Sequence, residues 1–582
     1  MRHKKQAQFY LIAFALFLTA SCIRNSDIIS ETEEESTEVI LSDDADNVDD
    51  HEDASDYTWS SSDEKSIVLN GNTISSGSSD VSIDGSVATI TGAGTYALSG
   101  TLNDGQIIVD TEDESIVRLI LNGVDISCSS NAPIYIENAE KVMLVLLNGT
   151  SNSVSDGSSY SSGEEDANAA IFSKSNLTIF GEGSLSVDGN YSDGITSKDG
   201  LIIASGNITV KSVDDGIRGK DYLIIEDGNI TVNSSGDGLV SDNIEDEGRG
   251  YITINDGSLT ITSGCDAIQA GKDVLIVYGT LDLTSGGGSS SSVSSSSSAK
   301  GIKSGVSTII YGGTITINAA DDAIHTDGNL EIYDGTFYIA SGDDGIHSEY
   351  NSVYTSGNIY ITKSYEGLES ALGSITINGG NFNIVASDDA INISAGGASF
   401  GGPGHKSTSS SSDYVLNIAG GYIAINCGGD GLDSNGSLVI SGGTQLVSSS
   451  TRNDNSALDY DVSCQVSGGF LVAVGSSGMA EAPGTSSSQY SVLVIFKSQQ
   501  SAGTIIHIED SEGTEILTYK PPKAYQSIAF SSDDLEKGAT YKVYTGGSSN
   551  GSATDGLYTS GTYSGGNLYT SFTISSVVTK VY

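Results

Sequence analysis

The pentapeptide Asp321-Asp322-Ala323-Ile324-His325 returns 22 positions later as Asp343-Asp344-Gly345-Ile346-His347, and this period restricts the fold more than any other feature of the 582-residue chain. With the small residue of the motif as a ruler, matching positions fall at Gly194, Gly216, Gly238, Ala267, Gly301, Ala323, Gly345, Gly367, Ala390, Gly431 and Ala457, and five of the ten steps are 22 residues. Two short alternating runs separate the motifs, as in Leu330-Glu331-Ile332 and Phe337-Tyr338-Ile339. With the motif's own Ile or Leu, each repeat holds three short strands, too little for a propeller blade of about 40 residues and four strands. It fits one coil of a parallel β-helix, whose coils stack at about 4.8 Å and bury a continuous apolar core. The richness in Gly (72), the five Pro and the single Trp, with β-branched residues alternating with Ser, Asn and Asp, agree with an all-β chain.

Such a coil places the row Ile195, Ile217, Leu239, Ile268, Ile302, Ile324, Ile346, Leu368, Ile391, Leu432 and Leu458 inside. Alternation along a strand then turns the next residue outward. That second row reads Thr196, Arg218, Val240, Gln269, Lys303, His325, His347, Glu369, Asn392, Asp433 and Asp459 and marks one exposed flat face. Tyr278, Tyr311 and Tyr333 fall after the middle strand and form either a stacked structural ladder or a platform for sugar rings. Two low-complexity insertions, GGGSSSSVSSSSS before Lys300 and GGASFGGPGHKSTSSSSD after Ile391, flank the polar row. They are walls of a groove or tolerated surface loops.

The repeat also stacks acids: Asp193, Asp214-Asp215, Asp237, Asp266, Asp321-Asp322, Asp343-Asp344, Glu366, Asp388-Asp389 and Asp430. Carboxylates held about 5 Å apart repel one another, so they protonate, splay into water or take a cation between them. Oxygen ligands from several coils suit Ca²⁺, which accepts six to eight oxygens in irregular geometry. Asp214, Asp215, Asp237, Asp321, Asp322, Asp343, Asp344, Glu366, Asp388 and Asp389 are the candidate ligands, strongest from Asp321 to Asp389. The bland alternative is that each Asp caps its corner by accepting a backbone N–H. His325 and His347 supply two imidazoles where a structural zinc needs four ligands, which favours contact with a bound ligand over zinc.

The net charge of −50, from 75 acids against 25 bases, excludes nucleic acid as a partner and leaves the membrane reachable only through an anchor. A basic start, an apolar run from Phe9 to Leu18 and Leu18-Thr19-Ala20-Ser21-Cys22 have the order of an export signal, and Cys22 stands where a bacterial lipobox places its acylated cysteine. An ordinary signal peptide with an incidental cysteine is the alternative. The expected organisation is a lipoprotein signal over 1–22, a self-repelling tether over 23–56, an N-terminal cap with the first coils over 57–189, the β-helix over 190–483 and a small antiparallel C-terminal element over 484–582. An exported, membrane-anchored lipoprotein of the cell surface or outer membrane follows. Cys128, Cys265, Cys427 and Cys464 show no metal spacing.

The DDAIH and DDGIH coils, GNLEIYDGTFYI, GGASFGGPGH and the opening SIVLNGNTI with ITGAGTYALSGTLNDGQIIVD resemble bacterial carbohydrate-binding domain-containing proteins over about residues 57–582. The resemblance implies a right-handed, pectate-lyase-like parallel β-helix with calcium sites and affinity for acidic polysaccharide such as polygalacturonate, and for cellulose. The family's paired acids match here at residues 214–215, 321–322, 343–344 and 388–389, while Lys300 and Ser456 depart from the pattern. Three functions remain open. A binding protein would bridge uronates through Ca²⁺ and contact sugar with Arg218, Lys303, His325 and His347. A lyase would need a base, for which Lys198, Arg218, Lys220, Lys300 and Lys303 are candidates. A structural adhesin would need neither.

Overall fold

A computed structural model describes residues 51–160, 167–294, 297–394 and 413–582. Cys22, the tether up to residue 50 and the second insertion from 396 to 412 lie outside the described residues. The chain is all-β: three short strands per coil wind into a parallel β-helix. The motif strands form one sixteen-stranded sheet, antiparallel only between Val81–Asp84 and Val87–Ile90 at its start. The apolar row from Ile195 to Leu458 stacks in unbroken register, each residue opposite its counterpart on the next coil. Every member is at most 1 % exposed. Full burial of an Ile or Leu contributes roughly 1.5–3 kcal/mol, so the row is the spine of the core.

The same row continues backwards through Ile171, Ile134, Ile107 and Ala88, all fully buried. The first coils therefore take up most of the stretch assigned to the cap and first coils, and only the hairpins near residues 64–90 are irregular. Residues 51–56, assigned to the tether, lie against the solenoid. His51 stacks on Tyr222 at 4.1 Å, Thr178 Oγ1 donates to Glu52 Oε1 at 2.6 Å, and Lys141 Nζ pairs with Glu52 and Asp56 at 3.3 and 3.2 Å.

Small residues at the ruler position answer to close packing. A Cβ on Gly216 would stand 2.3 Å from Val232 Cγ1 and 2.5 Å from the carbonyl oxygen of Gly238 on the next coil. A different glycine row, exemplified by Gly228 with φ of 130°, makes the turn into the third strand of each coil, a conformation that other residues rarely adopt. At the far end the last third strand, Phe470–Gly475, pairs antiparallel with Tyr525–Ser531. A six-stranded antiparallel sheet with its own core around Ile506, Tyr519 and Val543 follows. This covers the open edge of the solenoid.

Candidate functional site

The motif acids line one corner of the coils from Asp193 to Asp430, immediately before the small ruler residue, with Lys300 in the acid's place on one coil. Along this corner each ladder aspartate accepts the backbone N–H of its successor on the next coil. Asp215 donates to Asp193 Oδ1 at 3.2 Å, Asp237 to Asp215 at 2.7 Å, Asp266 to Asp237 at 2.7 Å and Lys300 to Asp266 at 2.7 Å. The ladder resumes with Asp344 to Asp322 at 2.9 Å, Glu366 to Asp344 at 3.1 Å, Asp430 to Asp389 at 2.5 Å and Ser456 to Asp430. Corner capping is thus real, and it occupies one oxygen, Oδ1, of each ladder aspartate. The second oxygen remains for another partner.

That partner is the outward row. Its members do not form an exposed flat face: the side chains of Arg218, His325 and His347 are only 19 %, 17 % and 15 % exposed. On most coils the residue three positions after a ladder acid folds back over the acidic corner; Val240 after Asp237 is apolar, and Asn392 after Asp389 donates to Glu366 instead. Arg218 holds Asp193, at 3.4 Å, together with Asp215 and Asp242. The Gln269 amide, oriented with its NH₂ toward the acids, donates to Asp266 Oδ2 at 3.1 Å and Asp237 Oδ2 at 3.0 Å. Lys303 Nζ lies 3.5 Å from Asp266. Lys300, the departure from the acidic pattern, reaches Asp321 Oδ2 at 3.0 Å and Asp322 Oδ2 at 2.7 Å. His325 Nδ1 meets Asp322 at 2.8 Å, and His347 Nδ1 meets Glu369 at 2.7 Å and Asp344 at 3.4 Å. The two imidazoles stack with centroids 4.6 Å apart and planes 10° from parallel.

These contacts set the protonation of the ladder. Burial would raise Asp322, but His325 and Lys300 hold it well below the ordinary carboxylate range. Burial likewise pulls His347 down, yet Asp344 and Glu369 hold it up to about 10. One imidazolium serves both carboxylates: Glu369 is kept below its ordinary value and Asp344 is pushed above by burial, Asp322 and Glu369. Burial lifts Asp215 to about 6 against the pull of Arg218, and burial with the charges of Asp266 and Asp215 lifts Asp237 to about 7.

The ten candidate metal ligands do not converge on one centre. Asp321, Asp322 and Asp343 offer ligand atoms within 4.8 Å of one another, as do Asp344, His347 and Glu369, and Asp389, Asp430 and Asp433. Lys300 already stands in the first group and His347 is part of the second. Asp214 is exposed and accepts a bond from Ser192 at 3.3 Å. Asp388 interacts with Tyr365. Asp430 and Asp433, which were not among the candidate ligands, complete the third group. Their signal was legible in the recurring three-residue spacing of Asp322/His325, Asp344/His347, Glu366/Glu369 and Asp430/Asp433.

The remaining expectations divide. Tyr311 and Tyr333 stack at 4.9 Å, but Tyr278 stands one position out of register and covers Gly312, because Ile276 pairs with Ile310 and places Val277 over Tyr311. A second stack, Tyr338 on Tyr360 at 5.4 Å, was not anticipated. The described part of the first insertion folds down instead of standing as a wall: Ser289 N–H donates to Asn318 at 2.8 Å, Lys363 reaches the Ser289 carbonyl, and Ser298 Oγ donates to ladder Asp266 at 2.7 Å. The four described cysteines are unpaired. An open trough of about 440 Å³ beside Gly206, Gly228 and Gly257 follows a different corner from the ladder.

Known proteins match this architecture over part of the chain. Residues 84–345 match the model of the carbohydrate-binding domain-containing protein family. That stretch belongs to the family. A carbohydrate-binding domain-containing protein of Acetivibrio thermocellus is 44 % identical over 126 residues, which are 21 % of this chain and 44 % of the relative. The chain therefore spans less than half the length of the curated relative it matches. Among solved structures, the polysaccharide lyase-like protein from C. thermocellum, a gadolinium derivative, is similar at 34 % identity, over 38 % of this chain and 91 % of that chain, with a TM-score of 0.36. The resemblance drawn from the motifs is borne out, over a narrower span than 57–582.

Proposed function

We propose that this chain is an exported, lipid-anchored carbohydrate-binding protein that holds an acidic polysaccharide along the ladder corner with the help of Ca²⁺. The observation that carries the reading is the in-register row from Arg218 to Asp459, polar on every coil but that of Val240. A spacing of about 4.8 Å approximates one sugar ring, so successive residues of a glycan meet equivalent groups. The exposed edges of the largely covered Arg218, Lys303, His325 and His347 side chains face a uronate chain over these coils, and Ca²⁺ bridges uronates to ladder oxygens that lack a protein cation. Asp388 and Asp389, with their neighbours, would hold such ions, whose charge supplies what a very acidic protein needs to bind an acidic polymer. The family match over residues 84–345 supports the class of ligand.

A lyase reading fits less well. Arg218, Lys300 and Lys303 are ion-paired to ladder carboxylates. Burial lowers the basicity of Arg218 and Lys300, but the facing acids outweigh it and hold both above their ordinary values. A base that must give up its proton near neutrality needs the opposite shift. Co-sedimentation with polygalacturonate is expected in Ca²⁺, weakened by His325→Ala with His347→Ala, and lost in chelator without any unsaturated product. Binding that survives the chelator contradicts the bridging ion, and an unsaturated product establishes the lyase. Cys22→Ala should release the protein from the membrane fraction, whereas unchanged fractionation rejects the anchor.

A further inference from the structure

Away from the ladder, residues 51–59 form a strap across the outer side of the strands Lys141–Leu146 and Asn176–Gly181. Tyr57 and Trp59 meet Phe180 edge-on at 5.0 and 6.3 Å, beside buried Met143 and Val145. Lys141 stands two positions before Met143, on the same face of its strand. There the strap lays two acids on one lysine: Lys141 Nζ lies 3.3 Å from Glu52 Oε1 and 3.2 Å from Asp56 Oδ2, and it donates to the His51 carbonyl at 3.0 Å. The side chains of Lys141, Glu52 and Asp56 are only 18 %, 5 % and 10 % exposed.

One ammonium shared by two carboxylates leaves a negative charge uncompensated where there is little water, and the protons distribute accordingly. Burial lifts Glu52 above the ordinary carboxylate range against the pull of Thr178 and Lys141. Burial works to raise Asp56 too, but the Asp53 N–H, Lys141 and Glu52 hold it below. Glu52 is thus the acid that keeps a proton, and Asp56 the one that carries charge. Glu52 Oε1 accepts from Thr178 Oγ1 at 2.6 Å, whereas its buried Oε2 has no hydrogen-bond partner. A salt bridge needs only one acid. The second, largely buried and with an oxygen left over, completes the parts for making an amide: an amine, a carboxyl group in contact with it and a proton carrier beside both.

We propose that Lys141 and Asp56 become joined by an isopeptide bond that forms within the folded chain, with Glu52 as the proton carrier. A proton first passes from Nζ to Asp56 Oδ2, leaving an amine against a neutral carboxyl group. The Nζ lone pair closes a bond to Cγ of Asp56; Glu52 gives its proton to the departing oxygen and takes a second one from Nζ, and the Cγ–O bond breaks as water leaves. Ammonium plus carboxylate becomes amide plus water, Glu52 ends as it began, and no oxidant or outside reactant is consumed. The reaction removes two charges whose desolvation the ion pair offsets only in part. Burial pulls Lys141 down, but Glu52 and Asp56 outweigh it and hold it above its ordinary value, so the amine is a minority form. A lyase that must turn over repeatedly needs the opposite shift, whereas a bond made once per molecule can form slowly. The product pins the strap to the solenoid, so that a pull on the chain before His51 is met by a covalent bond instead of by the contacts of Tyr57 and Trp59 alone.

The test is tryptic mapping of the full chain by mass spectrometry after denaturation. Trypsin cuts after Lys65, Arg118, Lys141 and Lys174. With the bond in place Lys141 is no longer a cleavage site, and the fragment 119–174 should stay joined to the fragment that ends at Lys65, their combined mass short by one water. Glu52→Gln should keep the fold, by circular dichroism, yet release separate fragments of full mass, and Lys141→Met should release 119–174 unjoined. Should either variant fail to fold, the wild-type map alone decides. Wild-type protein cut after Lys141, or one that loses water without a junction between the two fragments, overturns the bond, and a junction that persists in Glu52→Gln overturns the role of Glu52.

Discussion

Between Asp193 and Asp344 the ladder carboxylates face Arg218, Gln269, Lys303, His325 and His347, whereas from Asp389 to Asp430 they face Asn392, Asp433 and Asp459. The backbone is the same in both regions: the same coil, the same corner and the same N–H to Oδ1 bonds. Only the outward residue three positions on differs. One region carries counter-cations, and beside His325 and Lys300 its carboxylate Asp322 stays ionised, although Asp237, which is followed three positions on by Val240, rises to about 7; the other carries none, and Asp389 and Asp430 rise to about 7. A repeated acid on a solenoid is thus not one feature with one role. Its partner at the third following position decides whether it is an ion-paired cap or an open ligand.

The sharpest way to break this comparison is one substitution type placed in both regions. Asp322→Asn, or Lys300→Met opposite it, removes half of a buried pair and should cost about 3–5 kcal/mol in denaturant unfolding. Asp389→Asn, in chelator, should instead stabilise by on the order of 1 kcal/mol, since it relieves like charges that have no partner. A loss of similar size at both positions would show that the two regions are equivalent.

A smaller effect is expected from pH. Asp237, Asp389 and Asp430 titrate near 7 when folded, against an ordinary 3.8. Raised folded values mean that the native state binds protons more tightly, so their contribution is fully present below about pH 4 and is lost as pH rises through about 7. Metal-free protein should therefore gain melting temperature on acidification across that window. Calcium should flatten the gain by favouring the ionised form. The smallest change is expected away from the ladder: Tyr333→Ala removes one half of the stack with Tyr311 and should cost about 0.5–1.5 kcal/mol, insensitive to calcium. A calcium-dependent effect there would show that ions bind elsewhere.

Much of the fold was legible because burial imposes a period. Each coil must place one Ile or Leu inside at the same point, and eleven such positions from Ile195 to Leu458 could be aligned by eye. The earlier coils were expected within 57–189 but could not be aligned position by position, because their corresponding residues, Ala88, Ile107, Ile134, Ile171 and Ile195, are separated by uneven steps of 19, 27, 37 and 24 residues and lack the acid pair. Tyr278 was misplaced by a single residue, a slip that strand register does not forgive. The site was less legible. Alternation correctly turned Arg218, His325 and His347 outward, but long cationic side chains fold toward charge, so pointing out of the coil did not make them a solvent-facing strip. The docking of Glu52 onto Lys141 and Thr178 was invisible for a similar reason, since an acidic run reads as self-repelling until its partners are placed.

The central claim is that a protein cation and a bound metal ion are interchangeable on this ladder. Lys300→Asp tests it directly, because it restores an acid at the corner where Lys300 now neutralises Asp321 and Asp322, beside Asp343. Calcium calorimetry on the variant and the wild type should show one additional ion bound by Lys300→Asp, with a melting temperature depressed in chelator and largely recovered in Ca²⁺. An unchanged ion count, with a depression that calcium does not repair, would contradict the account.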